Sequence, residues 1–117
     1  MNASSTAQLS AQKLQRTIDY IHARLGQDIT LSELADVAQM NPYRFARAFK
    51  SSTGITPHRY LLLQRIEQAK KLLTLNQLSI AEISYQLGFA SQSHFANTFV
   101  RFTKVTPKVY RNAGANF

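Results

Sequence analysis

Apolar residues fall at Leu14, Ile18, Ile21 and Leu25, the i, i+4, i+7, i+11 spacing that lays one stripe along an amphipathic helix. Gly26 is the expected stop of that helix. Thr30-Leu31-Ser32-Glu33 then has the form of a capping box, in which the Thr hydroxyl accepts from the third helical N–H and the Glu reaches back to the cap. A short helix to about Ala38 follows. Met40-Asn41-Pro42 breaks it and starts a third, because Asn caps well and Pro suits the first helical position, where no N–H is required. That helix runs to about Ser52 and Gly54 ends it. Thr56-Pro57 repeats the signal and opens the longest helix, His58 to about Leu75, with Leu62, Ile66, Ala69 and Leu73 on one stripe. Ser79-Ile80-Ala81-Glu82 is a second capping box whose helix ends at Gly88, Ser91 caps a sixth helix, and Thr106-Pro107 opens a short seventh. No segment alternates as a strand does. The pattern predicts an all-α fold of seven helices.

The chain is also its own repeat. Residues 30–40 match 79–89 at an offset of 49, through Thr30/Ser79, Leu31/Ile80, Glu33/Glu82 and Leu34/Ile83. One extra residue enters the turn, and from there the offset is 50. Phe45/Phe95, Ala46/Ala96, Phe49/Phe99, Thr53/Thr103, Thr56/Thr106, Pro57/Pro107 and Tyr60/Tyr110 make seven identities in sixteen positions. The same supersecondary unit is therefore built twice. Each copy is a capped helix, a short turn and a second helix, which is helix-turn-helix geometry, where the second helix enters a DNA major groove. A helical hairpin used only for packing has the same topology, so the exposed faces decide. In the third helix Phe45 and Phe49 define the buried side and leave Tyr43, Arg44, Arg47, Lys50 and Ser51 opposite. In the sixth, Phe95, Phe99 and Phe102 are the expected core, leaving Ser93, His94, Asn97, Val100 and Arg101 outward. Neither set contains a carboxylate, which suits a negatively charged groove with donor and acceptor edges. The expected architecture is two helix-turn-helix subdomains joined by a long linker helix. It divides into a flexible tail over 1–9, a first lobe 10–56, the linker 57–75, a second lobe 76–112 and a C-terminal tail 113–117. Eighteen linker residues would make a rod of about 27 Å, against a major-groove repeat of about 34 Å on one face of B-DNA.

Charge supports a polyanionic partner. The 117 residues hold 14 Lys+Arg and 6 Asp+Glu, a formal net charge of +8. Residues 1–37 carry −1 and residues 38–117 carry +9, so the polyanion-facing part begins after the first helices. Cysteine is absent, which excludes a disulfide framework, a thiolate metal site and a redox switch. The longest unbroken apolar run is Tyr60 to Leu63 and the N-terminus lacks a charged-then-apolar signal pattern, so neither membrane spanning nor export is expected. The expectation is a soluble, cytoplasmic, nucleoid-associated protein.

The run Gly88-Phe89-Ala90-Ser91-Gln92-Ser93-His94-Phe95, followed by Phe99, Arg101-Phe102, Thr106-Pro107 and Tyr110-Arg111, resembles the DNA-binding domain of the AraC/XylS family of transcription regulators, in its two-lobed form. The segment Tyr60 to Leu73 is nearly as typical, and the resemblance covers nearly all of residues 10–111. It departs from the family where Val100 replaces a frequent base and Thr103 a frequent Gly. The resemblance implies base-reading positions at Tyr43, Ala46 and Arg47 in the first lobe and at Gln92, Ser93, His94, Ala96 and Asn97 in the second; Arg44, on the same outward face, joins them. Ala46 and Ala96 offer only apolar contact, for instance to a thymine methyl.

Each candidate has a plainer role beside the functional one. Arg47 suits a bidentate contact to guanine or a phosphate clamp, and Asn97 suits adenine or a solvated surface amide. Gln92 and Ser93 suit bases, phosphate or structural capping, and Tyr43 suits a sugar or simple packing. Asn41, Lys50, Ser91, Arg101 and Lys104 are candidate phosphate ligands. His22 and His58 have no partners at ligand spacing, so no metal site is read. No nucleophile–base pair, carboxylate pair or phosphate-cradling Gly-rich loop is visible among only four Gly, so neither an enzyme nor a cofactor is expected. The expected partner is double-stranded DNA, with RNA polymerase a second, no membrane and no small-molecule site. The leading function is a monomeric, sequence-specific regulator, an activator by resemblance, on an asymmetric operator. The rivals are a DNA-targeting module of a larger sensor-regulator or repair enzyme, a non-specific nucleic-acid binder, and a protein-interaction module with an acidic partner.

Overall fold

The computed structural model describes residues 8–114, all of whose regular structure is helical. The helices are α1 (Ala11–Ala23), α2 (Leu31–Val37), α3 (Pro42–Thr53), α4 (Pro57–Leu75), α5 (Ile80–Gln86), α6 (Gln92–Thr103) and α7 (Pro107–Asn112). The seven helices are those expected, each within a few residues of its expected ends. Residues 1–7 and 115–117, assigned to tails, lie outside the described residues. The tail expected over 1–9 is anchored before it ends, because Leu9 is buried and its N–H donates to Ser52 Oγ at 2.9 Å. The described chain forms two units, 8–24 with 28–61 and 25–27 with 62–114, so α4 is shared between them.

In the first unit, α1 buries Thr17 and Ile21. Thr17, which is not among the four residues of the expected stripe, is fully buried, and it can be because its hydroxyl donates to the Lys13 carbonyl at 2.9 Å. Both halves of the capping box on α2 form, with Glu33 N–H donating to Thr30 Oγ1 at 3.1 Å and Thr30 N–H to Glu33 Oε1 at 3.1 Å. The turn into α3 is a Schellman closure. Met40 N–H donates to the Ala35 carbonyl and Gln39 N–H to that of Asp36. Gln39 takes the left-handed conformation at φ 58°, a position the sequence did not mark.

The second unit repeats this. Ser79 and Glu82 form the capping box of α5, Phe89 N–H closes onto the Ser84 carbonyl, and the left-handed residue is Gly88 at φ 82°. Its core holds Leu62, Ile66, Ala69 and Leu73, the stripe expected on α4, with Ile83, Leu87, Phe89, Phe95 and Phe99. Phe102, expected in the core, is only half-buried at its edge. The Gly expected by resemblance where Thr103 stands belongs one residue on. Lys104 is the left-handed cap of α6 at φ 70°, matching Gly54 at φ 87° on α3. Thr103 itself is helical and its hydroxyl is used locally.

A buried guanidinium ties the second unit together. Arg65 is 7% exposed; its Nε donates to the Leu25 carbonyl at 2.8 Å and a terminal nitrogen to that of Gln27 at 2.7 Å, while its guanidinium carbon lies 5.8 Å from the Phe89 ring centroid. A Cβ on Gly88 would lie 2.9 Å from the Gly26 carbonyl oxygen and 3.0 Å from this guanidinium. Gly88→Ala therefore combines left-handed strain with a backbone clash, and is expected to cost about 2 kcal/mol or more in denaturant unfolding. Gln39→Gly, at the matching position, is expected to be neutral or to stabilise by up to about 1 kcal/mol, since it removes that strain. Effects equal in size and opposite in sign would show that the left-handed turn, and not the packing around Gly88, sets the cost. Arg65→Ala is expected to cost about 2 kcal/mol by leaving the Leu25 and Gln27 carbonyls without their donor.

Candidate nucleic-acid interface

Within each unit the second helix is held from behind. Phe45 stacks on Phe49 with ring centroids 5.7 Å apart, and Phe49 meets Tyr60 edge-on at 5.5 Å and 77°. Phe95, Phe99 and Tyr110 repeat this at 5.8 Å and at 5.5 Å and 76°. Such pairs are worth about 0.5–1.5 kcal/mol beyond the area they bury. Thr53 Oγ1 lies 2.9 Å from the Phe49 carbonyl and 3.0 Å from that of Ile55, and accepts from Ile55 N–H. Thr103 does the same with Phe99 and Val105. With the inner face fixed this way, the outer face is left to solvent.

The exposure of residues 41–50 and 91–100 follows one pattern, position for position. In both, the first four residues are exposed, the fifth, eighth and ninth are buried and the sixth is half-buried. Tyr43, Arg44, Arg47 and Lys50 are exposed on α3, and Gln92, Ser93, His94, Asn97 and Arg101 on α6. Ala46 and Ala96 are half-buried at the margins of these faces, and Ala46 also lines an apolar cavity with Leu31, Leu34, Pro57 and Leu61.

Several candidates are already engaged. Arg47 donates to the Tyr43 hydroxyl at 3.1 Å, with its guanidinium carbon 5.6 Å from that ring's centroid, so the two form one preset unit. Asn41 Oδ1 accepts from Arg44 N–H at 2.8 Å and Ser91 Oγ from His94 N–H at 3.0 Å. As caps, they keep only the Asn41 amide NH₂ and the Ser91 hydroxyl proton for an outside acceptor. Ser91 is held further by Ser84, whose buried hydroxyl donates to its carbonyl at 3.0 Å. His94 packs edge-to-face on Phe89 at 5.4 Å. Lys104 stands at the far end of α6, its Nζ 3.4 Å from the Arg101 carbonyl. Among the described residues, no carboxylate lies within ion-pair distance of Arg44, Arg47, Lys50, Arg101 or Lys104; Glu67 pairs with Lys70. In each unit this face is cationic or polar and unneutralised.

Behind α3, Glu33 has a second partner that the sequence did not reveal. Tyr20 of α1 donates to Glu33 Oε2 at 2.7 Å, and Arg24 sits 4.0 Å over the Tyr20 ring. The Tyr20 bond, followed by the bond from Thr30 N–H, holds the Glu33 carboxyl below its ordinary value. The same Tyr20–Glu33 bond pushes the Tyr20 phenol above its ordinary value. Glu82 is also held low, by its bonds from Ser79 alone.

A tandem of helix-turn-helix units with solvent-facing second helices is what the fold and this surface define. A family model described as a helix-turn-helix domain matches residues 34–113, and the chain belongs to the AraC/XylS family, whose fold is that of transcription-regulator DNA-binding domains. An uncharacterized HTH-type transcriptional regulator of Staphylococcus aureus (strain COL) is 37% identical over 108 residues, which cover 92% of this chain and 14% of that protein. LumQ, a probable transcriptional regulator of Photobacterium leiognathi, is 37% identical over 93 residues, covering 80% of this chain and 38% of its own length. The chain thus spans a minor part of these relatives. A transcriptional regulator of Chromobacterium violaceum with an AraC-type DNA-binding domain superposes with a TM-score of 0.84 at 27% identity over 98% of both chains. The DNA-binding domain of AdpA, solved in complex with a target DNA, does so with a TM-score of 0.81 at 31% identity, over 86% of this chain and 91% of its own. No helix among the described residues is long and apolar enough to cross a membrane.

Because the folded pKa of Glu33 is depressed, its contribution to stability is complete above the ordinary carboxylate value and is lost as pH falls through the folded one. Glu33→Gln removes that dependence while keeping one of the two acceptor oxygens that Tyr20 and the Thr30 N–H use. The stabilities of wild type and variant, measured by urea unfolding from neutrality to about pH 3, should therefore converge as pH falls. A gap that stays constant across this range would deny the carboxylate charge any role.

Proposed function

We propose that this chain is a sequence-specific DNA-binding module of transcription regulation, in which α3 and α6 are recognition helices for consecutive major-groove segments of one asymmetric operator. The observation that carries it is the shared exposure pattern of residues 41–50 and 91–100, which offers a carboxylate-free face from each copy of the repeat. Support comes from the naming of the relatives as transcriptional regulators and from the target DNA in the AdpA complex. Arg47, aligned by Tyr43, reads guanine. Asn97 reads adenine. Arg44, Gln92, Ser93 and His94 add further base contacts and Ala46 and Ala96 apolar ones, while Asn41, Lys50, Ser91, Arg101 and Lys104 hold phosphates. Like the family it resembles, the module serves an activator that meets RNA polymerase, in the cytoplasm where the DNA is. Relatives longer than this chain favour a second reading, in which the same residues target a larger sensor-regulator to DNA.

Selection from random duplexes should return an asymmetric site of about two helical turns, bound one chain to one duplex in gel-shift titrations. Binding only as a 2:1 complex on a palindrome, with none to its half, would sink this reading. Arg47→Ala should weaken the selected site by about 1–3 kcal/mol, and random duplex by much less. Equal losses on both would reassign Arg47 to a phosphate.

A further inference from the structure

We propose that the cleft between α1 and the α2–α3 turn of the first unit clamps one backbone phosphate of the bound duplex, with Lys13 as a ligand. This rests on the DNA-binding reading above. Lys13 of α1 and Arg44 of α3 line this cleft of about 320 Å³ together with Gln39, Met40 and Asn41. Two like charges on one cleft repel, and among the described residues neither the Lys13 ammonium nor the Arg44 guanidinium has a carboxylate or a hydrogen-bond acceptor. An anion between them removes that repulsion and gives both cations a partner.

The other walls suit the same guest. The Asn41 side-chain oxygen is spent on the Arg44 N–H, so the side chain has only its NH₂ donors left to offer. The cleft opens at the start of α3, a twelve-residue helix whose first residue is Pro42, so Tyr43 carries its first uncapped N–H and the helix dipole adds a favourable field for an anion. The corresponding corner of the second unit is built differently. Phe89 stands where Met40 does and His94 where Arg44 does, and the two rings pack edge-to-face at 5.4 Å. Phe89 is 7% exposed and also packs on Phe95 at 5.2 Å. In the second unit the ring packing is joined by the buried Arg65 guanidinium, which donates to the Gly88 carbonyl at 3.5 Å, whereas in the first the corner is an open cleft. A phosphate held by α1 would fix the register of α3 on the duplex without carrying sequence information.

The test is anisotropy titration of the selected duplex and a scrambled one across a range of salt, with wild type, Lys13→Ala and, as a control cation on α4, Lys71→Ala. Thermal unfolding checks that each variant folds, and Lys13→Gln replaces Lys13→Ala if it does not. Loss of the Lys13 charge should lower the slope of log K against log salt by about 0.9 and weaken both duplexes by the same factor. Lys71→Ala should leave the slope unchanged. An unchanged slope for the Lys13 variant, an equal drop for Lys71→Ala, or a loss confined to the selected duplex would each overturn the clamp while leaving the DNA-binding reading intact. Wild type that binds neither duplex at low salt would overturn both.

Discussion

A helix that presents one face to a partner must be gripped by the other, and in each unit the grip is an aromatic pair reinforced by a hydroxyl. The Phe49–Tyr60 and Phe99–Tyr110 contacts have the same edge-on geometry, within 1° of interplanar angle. They join the second helix of each unit to the start of the helix that follows it, and Thr53 and Thr103 cap the strained corner between. Rotating α3 or α6 to turn its outward residues inward would break the stack, bury charge and expose the phenylalanines together. Those costs rise at once, so the exposed set is fixed by packing behind the surface.

The two copies use different chemistry to reach the same geometry. In the first, the left-handed turn residue is Gln39, with Met40 beyond it; in the second it is Gly88, with a buried Phe89 and the Arg65 guanidinium close by. A glycine is required where backbone and guanidinium crowd the turn, whereas Gln39 tolerates the left-handed conformation at a modest cost. Ser84 anchors the Ser91 carbonyl in the second unit; its counterpart in the first is Ala35, which has no hydroxyl to do so.

The helices, their caps and the repeat were legible because they depend on local signals: capping boxes, Asn-Pro and Thr-Pro starts, and phenylalanines at helical spacing. The outward faces followed from the same periodicity, except at Ser51, which is half-buried. What stayed hidden depends on residues distant in sequence. Tyr20 meets Glu33, Arg65 reaches the carbonyls of Leu25 and Gln27, and Lys13 shares a cleft with Arg44. No spacing rule joins such positions, since helix packing sets them. Thr17 stayed hidden for a different reason. Hydropathy places a threonine outside, but a hydroxyl that bonds its own helix at Lys13 can be buried at little cost. Lys104 also shows that a left-handed cap can be filled by a residue that no turn signal marks.

The unequal faces of the repeat bear on how affinity and selectivity divide under the proposed role. α3 exposes Arg44, Arg47 and Lys50, whereas α6 exposes Ser93, His94, Asn97 and Val100 with Arg101. Each phosphate neutralised by a cation adds to the salt dependence of binding, while a neutral amide or hydroxyl adds nothing to it. The first unit should therefore supply most of the salt-dependent affinity. Arg47 is also the recognition residue whose path is narrowed in advance, because Tyr43 holds its guanidinium before any partner arrives. Ordering a long side chain on binding costs about 0.5–1.5 kcal/mol, so that restraint favours Arg47 over an unsupported arginine. Asn97 has fewer rotors to freeze and a directional amide. Under the proposed role it adds selectivity without salt dependence, so both units discriminate, through Arg47 in the first and Asn97 in the second, while the first supplies more of the electrostatic attachment.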